Sequence, residues 1–217
     1  MGAVTGPLSW LADPTHWRGP EGIPTLSAQH LGLSALAVLV ACLLALPVGI
    51  WLGHTGRGGA VALNVGNIGR AVPTYAVLSL LYLVISDRQT DTVVALVLFG
   101  IPPVLTNAYV AVREVDPVVV DSARGMGMSG AQVLRRVELP LATPLLMAGV
   151  RLCSVQVVAT TTIAALIAGP GLGRIVTDGF AVQDQDQVVA GAAVVAVVAL
   201  VVDLAMALVV RRTRRVT

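Results

Sequence analysis

Few residues in this chain can do chemistry, and the ionisable ones stand in unusual surroundings. Asp203 lies about seven residues, roughly 10 Å at helical rise, inside the end of a long apolar run. That is too deep for a short carboxylate to reach water, so it needs a partner, and Arg70 and Arg151 are the candidates for an intramembrane ion pair. A structural pair is one reading and a proton-coupled carrier is the other, and Asp203→Asn separates them. Polar groups in apolar runs are costly unless they face protein or water, so Pro73, Tyr75, Asn107, Tyr109, Thr160, Thr161 and Thr162 form a candidate translocation path. Each threonine has the alternative of bonding the carbonyl one turn back. His16, His30 and His54 are scattered and no Ser, His and acid trio falls at one depth, which argues against an enzyme. Cys42 and Cys153 lack metal-type spacing and read as small apolar packing groups, so no metal site is expected. Gly169-Pro170-Gly171-Leu172-Gly173 follows an apolar run rather than a strand and reads as a turn. With no P-loop and no lysine anywhere, the chain itself should bind neither ATP nor any other cofactor.

The longest polar interruption, Arg113 to Pro144, reads as two short helices. Asp116-Pro117 is an N-cap and first-turn pair, and Val118, Val119, Val120, Ala123 and Met126 supply an apolar side. Gly125 and Gly127 are natural stops where positive φ is available. Ser129 with Gln132 makes a capping box for a second helix, expected to end at Leu139-Pro140, where proline opens the next. A basic rim of Arg124, Arg135 and Arg136 suits a docking surface better than a DNA reader tethered between two spans.

These segments must be positioned by elements that live in lipid. Of 217 residues, 56% are hydrophobic and only 12% charged, against about a quarter charged in soluble domains. A run of about 20 apolar residues crosses a bilayer, which gives five candidate helices: His30–Trp51, Ala60–Ile85, Thr92–Val112, Leu145–Ala168 and Val188–Val210. The second is interrupted by Asn64, Asn67, Arg70 and Pro73, and Pro102-Pro103 should kink or break the third. The fold class is therefore all-α and polytopic. Arginines at 57, 113, 124, 135, 136, 211, 212, 214 and 215 gather on one side and only Arg18, Arg88 and Arg174 on the other, so the N-terminus is expected outside and the C-terminus in the cytoplasm. This divides the chain into an external segment (1–26) with Trp10 and Trp17 near the interface, a transmembrane domain (27–210) containing the 113–144 loop, and a basic cytoplasmic tail (211–217). The first arginine is Arg18, so a cleaved signal peptide is not expected.

Asp121-Ser122-Ala123, then Gly127, then Val137-Glu138-Leu139-Pro140 resembles the permease signature of ABC importers, EAA-x3-G-x9-I-x-LP, with Asp for Glu, Ser for Ala and Val for Ile. The resemblance implies a type I importer permease in a bacterial cell membrane, with this loop as the coupling helix. It also implies a cytoplasmic ATPase dimer that holds ATP and Mg, a second permease copy, identical or paralogous, and an external substrate-binding protein. The stretches 17–34, 69–80, 102–112, 148–151 and 169–175 look most similar to permeases for glycine betaine, carnitine and choline. Methionine and other amino-acid importers share the same plan.

Overall fold

The computed structural model describes residues 5–85, 87–167 and 169–213. Helix α1 (Thr5–Ala12) and a 3-10 turn (Pro14–Trp17) lead into α2 (Ile23–Thr55), α3 (Gly59–Ala71), α4 (Thr74–Val84) and α5 (Arg88–Arg113). Two short helices, α6 (Pro117–Gly125) and α7 (Gly130–Val133), lead through a π-helical turn (Leu134–Glu138) into α8 (Leu139–Ala164). A 3-10 turn (Ala165–Ile167), α9 (Gly173–Ala181) and α10 (Gln185–Thr213) complete an all-α chain, with no strand among the described residues.

Four helical runs are long and apolar enough to cross a membrane: α2, α5, Gly130–Ile167 and α10. The α3–α4 pair makes a fifth if its two arms, bent by 89°, count as one span. Lipid is the solvent that explains α10, where Leu200, Leu204 and Leu208 are each more than half exposed on the isolated chain.

Several sequence expectations need correcting. The second span is not one helix: Pro73 has no N–H and forces Val72 into extended backbone, φ −78° and ψ 125°. Pro102-Pro103 does the opposite of what its chemistry suggests, since α5 runs unbroken through both. The missing donors are tolerated because a helix of 26 residues holds the segment from both sides, and Gly69 on α3 presents only hydrogen to the Pro102 ring. Nor does Pro140 separate the second loop helix from the fourth span. The π-helical turn lets Leu139 N–H reach the Leu134 carbonyl five residues back, and the helix passes the proline without ending. Helix α9 was not foreseen, because its nine residues between a glycine turn and Asp184 are too few to show a period.

The chain packs as two compact units. The first comprises Met1–Ala37, Pro73–Val97 and Ser154–Val202. In it, Ile23, Leu26, Leu172 and Ile175 form one buried cluster against Trp10 and Leu11, and Leu78, Ala95 and Ala164 form another. Trp10 stacks on His16 at 3.8 Å between ring centroids, so it is tied into local packing. Asp13 caps the first 3-10 turn, and the hydrogen bonds from Thr15 N (2.9 Å) and Oγ1 (2.8 Å) hold its carboxyl below the usual carboxylate range. The second unit comprises Val38–Val72, Leu98–Cys153 and Asp203–Thr217. There α2 and α5 touch almost backbone to backbone: a Cβ at Gly49 would lie 2.8 Å from the Leu105 carbonyl, and one at Gly53 2.8 Å from that of Tyr109. Cys42 and Cys153 are both free, one partly and one fully buried.

Candidate functional site

The loop between α5 and α8 is rigid for reasons that can be followed bond by bond. Asp116 Oδ1 accepts from Val118 N at 2.9 Å with Pro117 opening the helix, which fixes the start of α6. After Gly125 the chain reverses at Gly127, whose φ is +84°. Gly127 N donates to the Arg124 carbonyl (2.9 Å) and Met128 N to that of Ala123 (3.2 Å), closing the end of α6. The Ser129–Gln132 capping box then starts α7, with Ser129 N donating to Gln132 Oε1 at 2.7 Å. Val120, Ala123 and Val133 bury themselves against Ala111, Val112, Val115 and Ala142, which binds the loop to its flanking spans.

Of the residues singled out in this loop, Ala123 is core, Val137 and Leu139 are partly buried, and Asp121, Ser122, Gly127 and Pro140 face outward. Val118 and Met126, 71% and 74% exposed, add an uncovered apolar edge. The arrangement is a stiff two-helix platform with a mixed apolar and charged face, suited to docking. Asp116→Ala removes one capped donor and is expected to cost about 1 kcal/mol; the lowered thermal midpoint of the purified protein measures it.

The sequence reading missed a contact that anchors this platform. His54 Nδ1, in the last turn of α2, donates to Glu138 Oε2 at 2.5 Å in the π-helical turn, and the carboxylate is only 5% exposed. The two residues are 84 positions apart, so no spacing pattern could have paired them. Together with Arg113, Asp121 and Arg124 they line a pocket of 340 Å³. Removing one partner leaves the other buried alone, so His54→Ala is expected to destabilise by about 3 kcal/mol. Exchange of the pair, His54→Glu with Glu138→His, is expected to recover most of the loss in a thermal melt.

Asp203 finds its partner in Arg151: Nε to Oδ1 and Nη2 to Oδ2 are both 2.7 Å, a two-pronged ion pair between α8 and α10. The side chain of Arg70, the other candidate, lies outside the described residues. The path candidates are dispersed: Pro73, Tyr75 and the three threonines belong to the first unit, Asn107 and Tyr109 to the second. Tyr75 is half exposed. Thr160 is buried, while Thr161 donates to the Val157 carbonyl at 2.8 Å and lies 2.9 Å from Ser34 Oγ, so it is committed to packing. Asn107 donates to the Pro103 carbonyl on its own helix at 2.7 Å, and the Tyr109 hydroxyl lies against Gly59. His30, expected at the start of a span, is fully buried and its Nε2 donates to the Val158 carbonyl at 3.0 Å. Asp91 is fully buried in the first turn of α5. No metal-type cluster occurs among the described residues.

Comparison with known proteins gives a consistent result. The family model described as binding-protein-dependent transport system inner membrane component matches residues 45–215. A choline transport system permease protein of Bacillus subtilis is 31% identical over 85% of each chain. An osmoprotectant import permease protein of Salmonella typhimurium is 32% identical over 84% of this chain and 78% of that one. Among solved structures, the MetNI methionine ABC transporter in inward-facing form superposes with a TM-score of 0.78 at 19% identity, covering 93% of this chain and 98% of that one.

Proposed function

Because this chain belongs to the family of binding-protein-dependent transport system inner membrane components, we propose that it is the permease through which an ATP-driven importer moves a quaternary ammonium solute of the glycine betaine, carnitine and choline class. The observation that carries the substrate class is identity of 31–32% with choline and osmoprotectant permeases across more than four-fifths of the chain. In this reading the chain is a transport subunit and not an enzyme. ATP and Mg are held by a separate cytoplasmic ATPase dimer, a second permease copy completes the path, and an external binding protein captures the solute.

The α6–α7 platform is then the coupling element, seated on the ATPase. Its outward residues Asp121, Ser122 and Gly127 make the contact, and Ala123, Val137, Leu139 and Pro140 transmit its motion into α8. This loop and the C-terminus lie in the cytoplasm and the N-terminus outside in this reading, which the arginine distribution supports. Pro73, Tyr75, Asn107, Tyr109, Thr160 and Thr162 border the route, while Thr161 is held in packing. Asp203 serves structure: a carboxylate held at 2.7 Å by both prongs of a guanidinium is a poor proton carrier. An amino-acid substrate such as methionine is the second reading, favoured by the fold likeness to the methionine transporter. Osmoprotection of a host strain lacking its own solute importers, carrying this chain with its ATPase and binding protein, tests the choice. Rescue by glycine betaine, carnitine or choline is expected; growth dependent on methionine import alone would reverse the substrate assignment.

A further inference from the structure

The first unit contains a carboxylate that satisfies neither of its protonation states. Asp91 is 0% exposed, and neither Oδ1 nor Oδ2 has a hydrogen-bond partner among the described residues. An ionised carboxylate wants donors and a neutral carboxyl needs an acceptor for its proton. Leaving either unserved in an apolar setting costs several kcal/mol. The setting is apolar: Asp91 is one helical turn before Ala95, which is buried with Leu78 and Ala164 in a cluster edged by Leu81, Ile163 and Ile167. The neighbouring Thr92 donates to the Arg88 carbonyl at 2.8 Å, and Gly169 packs against that threonine and the Ala164 carbonyl. Buried acids in a membrane protein mark ion or substrate routes unless paired.

We propose that Asp91 is the counter-charge for the positive end of the transported solute, a specificity-determining residue that recognises a quaternary ammonium group. The match is chemical. A quaternary nitrogen carries charge but no N–H, so it needs no directional acceptor and offers no hydrogen bond. It asks for a negative charge and for apolar surface against its methyl groups, which is what an unbonded carboxylate one helical turn from the Leu78, Ala95 and Ala164 cluster supplies. A primary ammonium, with three donors, would be better served by a site with several acceptors. Complete burial means that the carboxylate is reached only when this part of the bundle opens, as alternating access requires. The proposal rests on the quaternary-ammonium importer reading.

The test uses the complete importer in proteoliposomes: permease, ATPase and binding protein saturated with choline. Asp91→Asn keeps the shape and removes the charge, and is expected to cut choline uptake at least tenfold while solute-stimulated ATP hydrolysis continues; Asp91→Glu is expected to recover uptake. Unchanged uptake in Asp91→Asn overturns the proposal, as does parallel loss of uptake and hydrolysis or failure of the glutamate to rescue. A second measurement needs no variant. In the wild-type importer cycling with ATP, labelling of Asp91 by an apolar carbodiimide, read by mass spectrometry, is expected to be slowed by choline and not by its uncharged analogue with carbon in place of nitrogen. Equal effects of the two compounds overturn it. If the wild type moves neither choline nor glycine betaine, the substrate reading itself has failed, which is a separate result.

Discussion

Gly127→Val is expected to uncouple transport from ATP hydrolysis while leaving membrane insertion intact. Gly127 turns the chain between α6 and α7 at φ +84°, with nothing within 4 Å of the position a Cβ would take, so space is not the obstacle. The obstacle is the backbone, since an L-residue in the left-handed region costs about 1–2 kcal/mol, and a β-branched one is a stronger outlier. At about 1.4 kcal/mol per factor of ten, the ratio of the native turn to its alternatives falls roughly tenfold. Because Val120, Ala123 and Val133 still bury themselves in the flanking spans, the chain folds but its two loop helices change their angle. Solute moved per ATP hydrolysed in proteoliposomes should therefore fall about tenfold on the same arithmetic. Asn, which tolerates the left-handed region, should retain most of the coupling. Normal uptake in the valine variant would count against the loop as coupling element.

The second large effect concerns Arg151 and Asp203. Removing either alone leaves a full charge without its partner in a span, which the bilayer penalises. Asp203→Ala and Arg151→Ala are each expected to lower sharply the amount of folded protein in the membrane, measured by quantitative blotting and a thermal melt in detergent. Removing both together, as Arg151→Leu with Asp203→Leu, restores most of it, because no unpaired charge remains. Uptake per molecule by that double variant should still depend on ATP. If Asp203 carried protons instead, the double variant would be stable and inactive.

The fold was legible wherever one residue type dominated a long stretch. Runs of alanine, leucine and valine announced α2, α8 and α10, and the Asp116-Pro117 and Ser129–Gln132 pairs announced where both loop helices start, though not where the second ends. Proline was the unreliable sign. The same missing N–H breaks the chain at Pro73 and is absorbed at Pro102 and Pro103 inside a long helix and at Pro140 after a π-helical turn, so the difference lies in the surrounding backbone rather than in the residue. For the site, the docking loop was readable because its signature is local in sequence. The His54–Glu138 clasp was not, since it joins residues far apart in the chain, and neither was the burial of Asp91, since a polar residue near the end of an apolar run carries no sign of it. Whether its oxygens meet water is decided by packing that the sequence around Asp91 does not encode locally. Arg151 could be offered for Asp203 because a buried carboxylate demands a cation and few arginines lie in spans.

The most direct test of the central claim is solute uptake by proteoliposomes holding this chain, its ATPase and its binding protein, energised in parallel by internal ATP or by an imposed proton gradient without ATP. The account predicts saturable uptake of glycine betaine or choline with ATP and none with the gradient alone, lost when Gly127 becomes valine. Uptake driven by the proton gradient in the absence of ATP would contradict it.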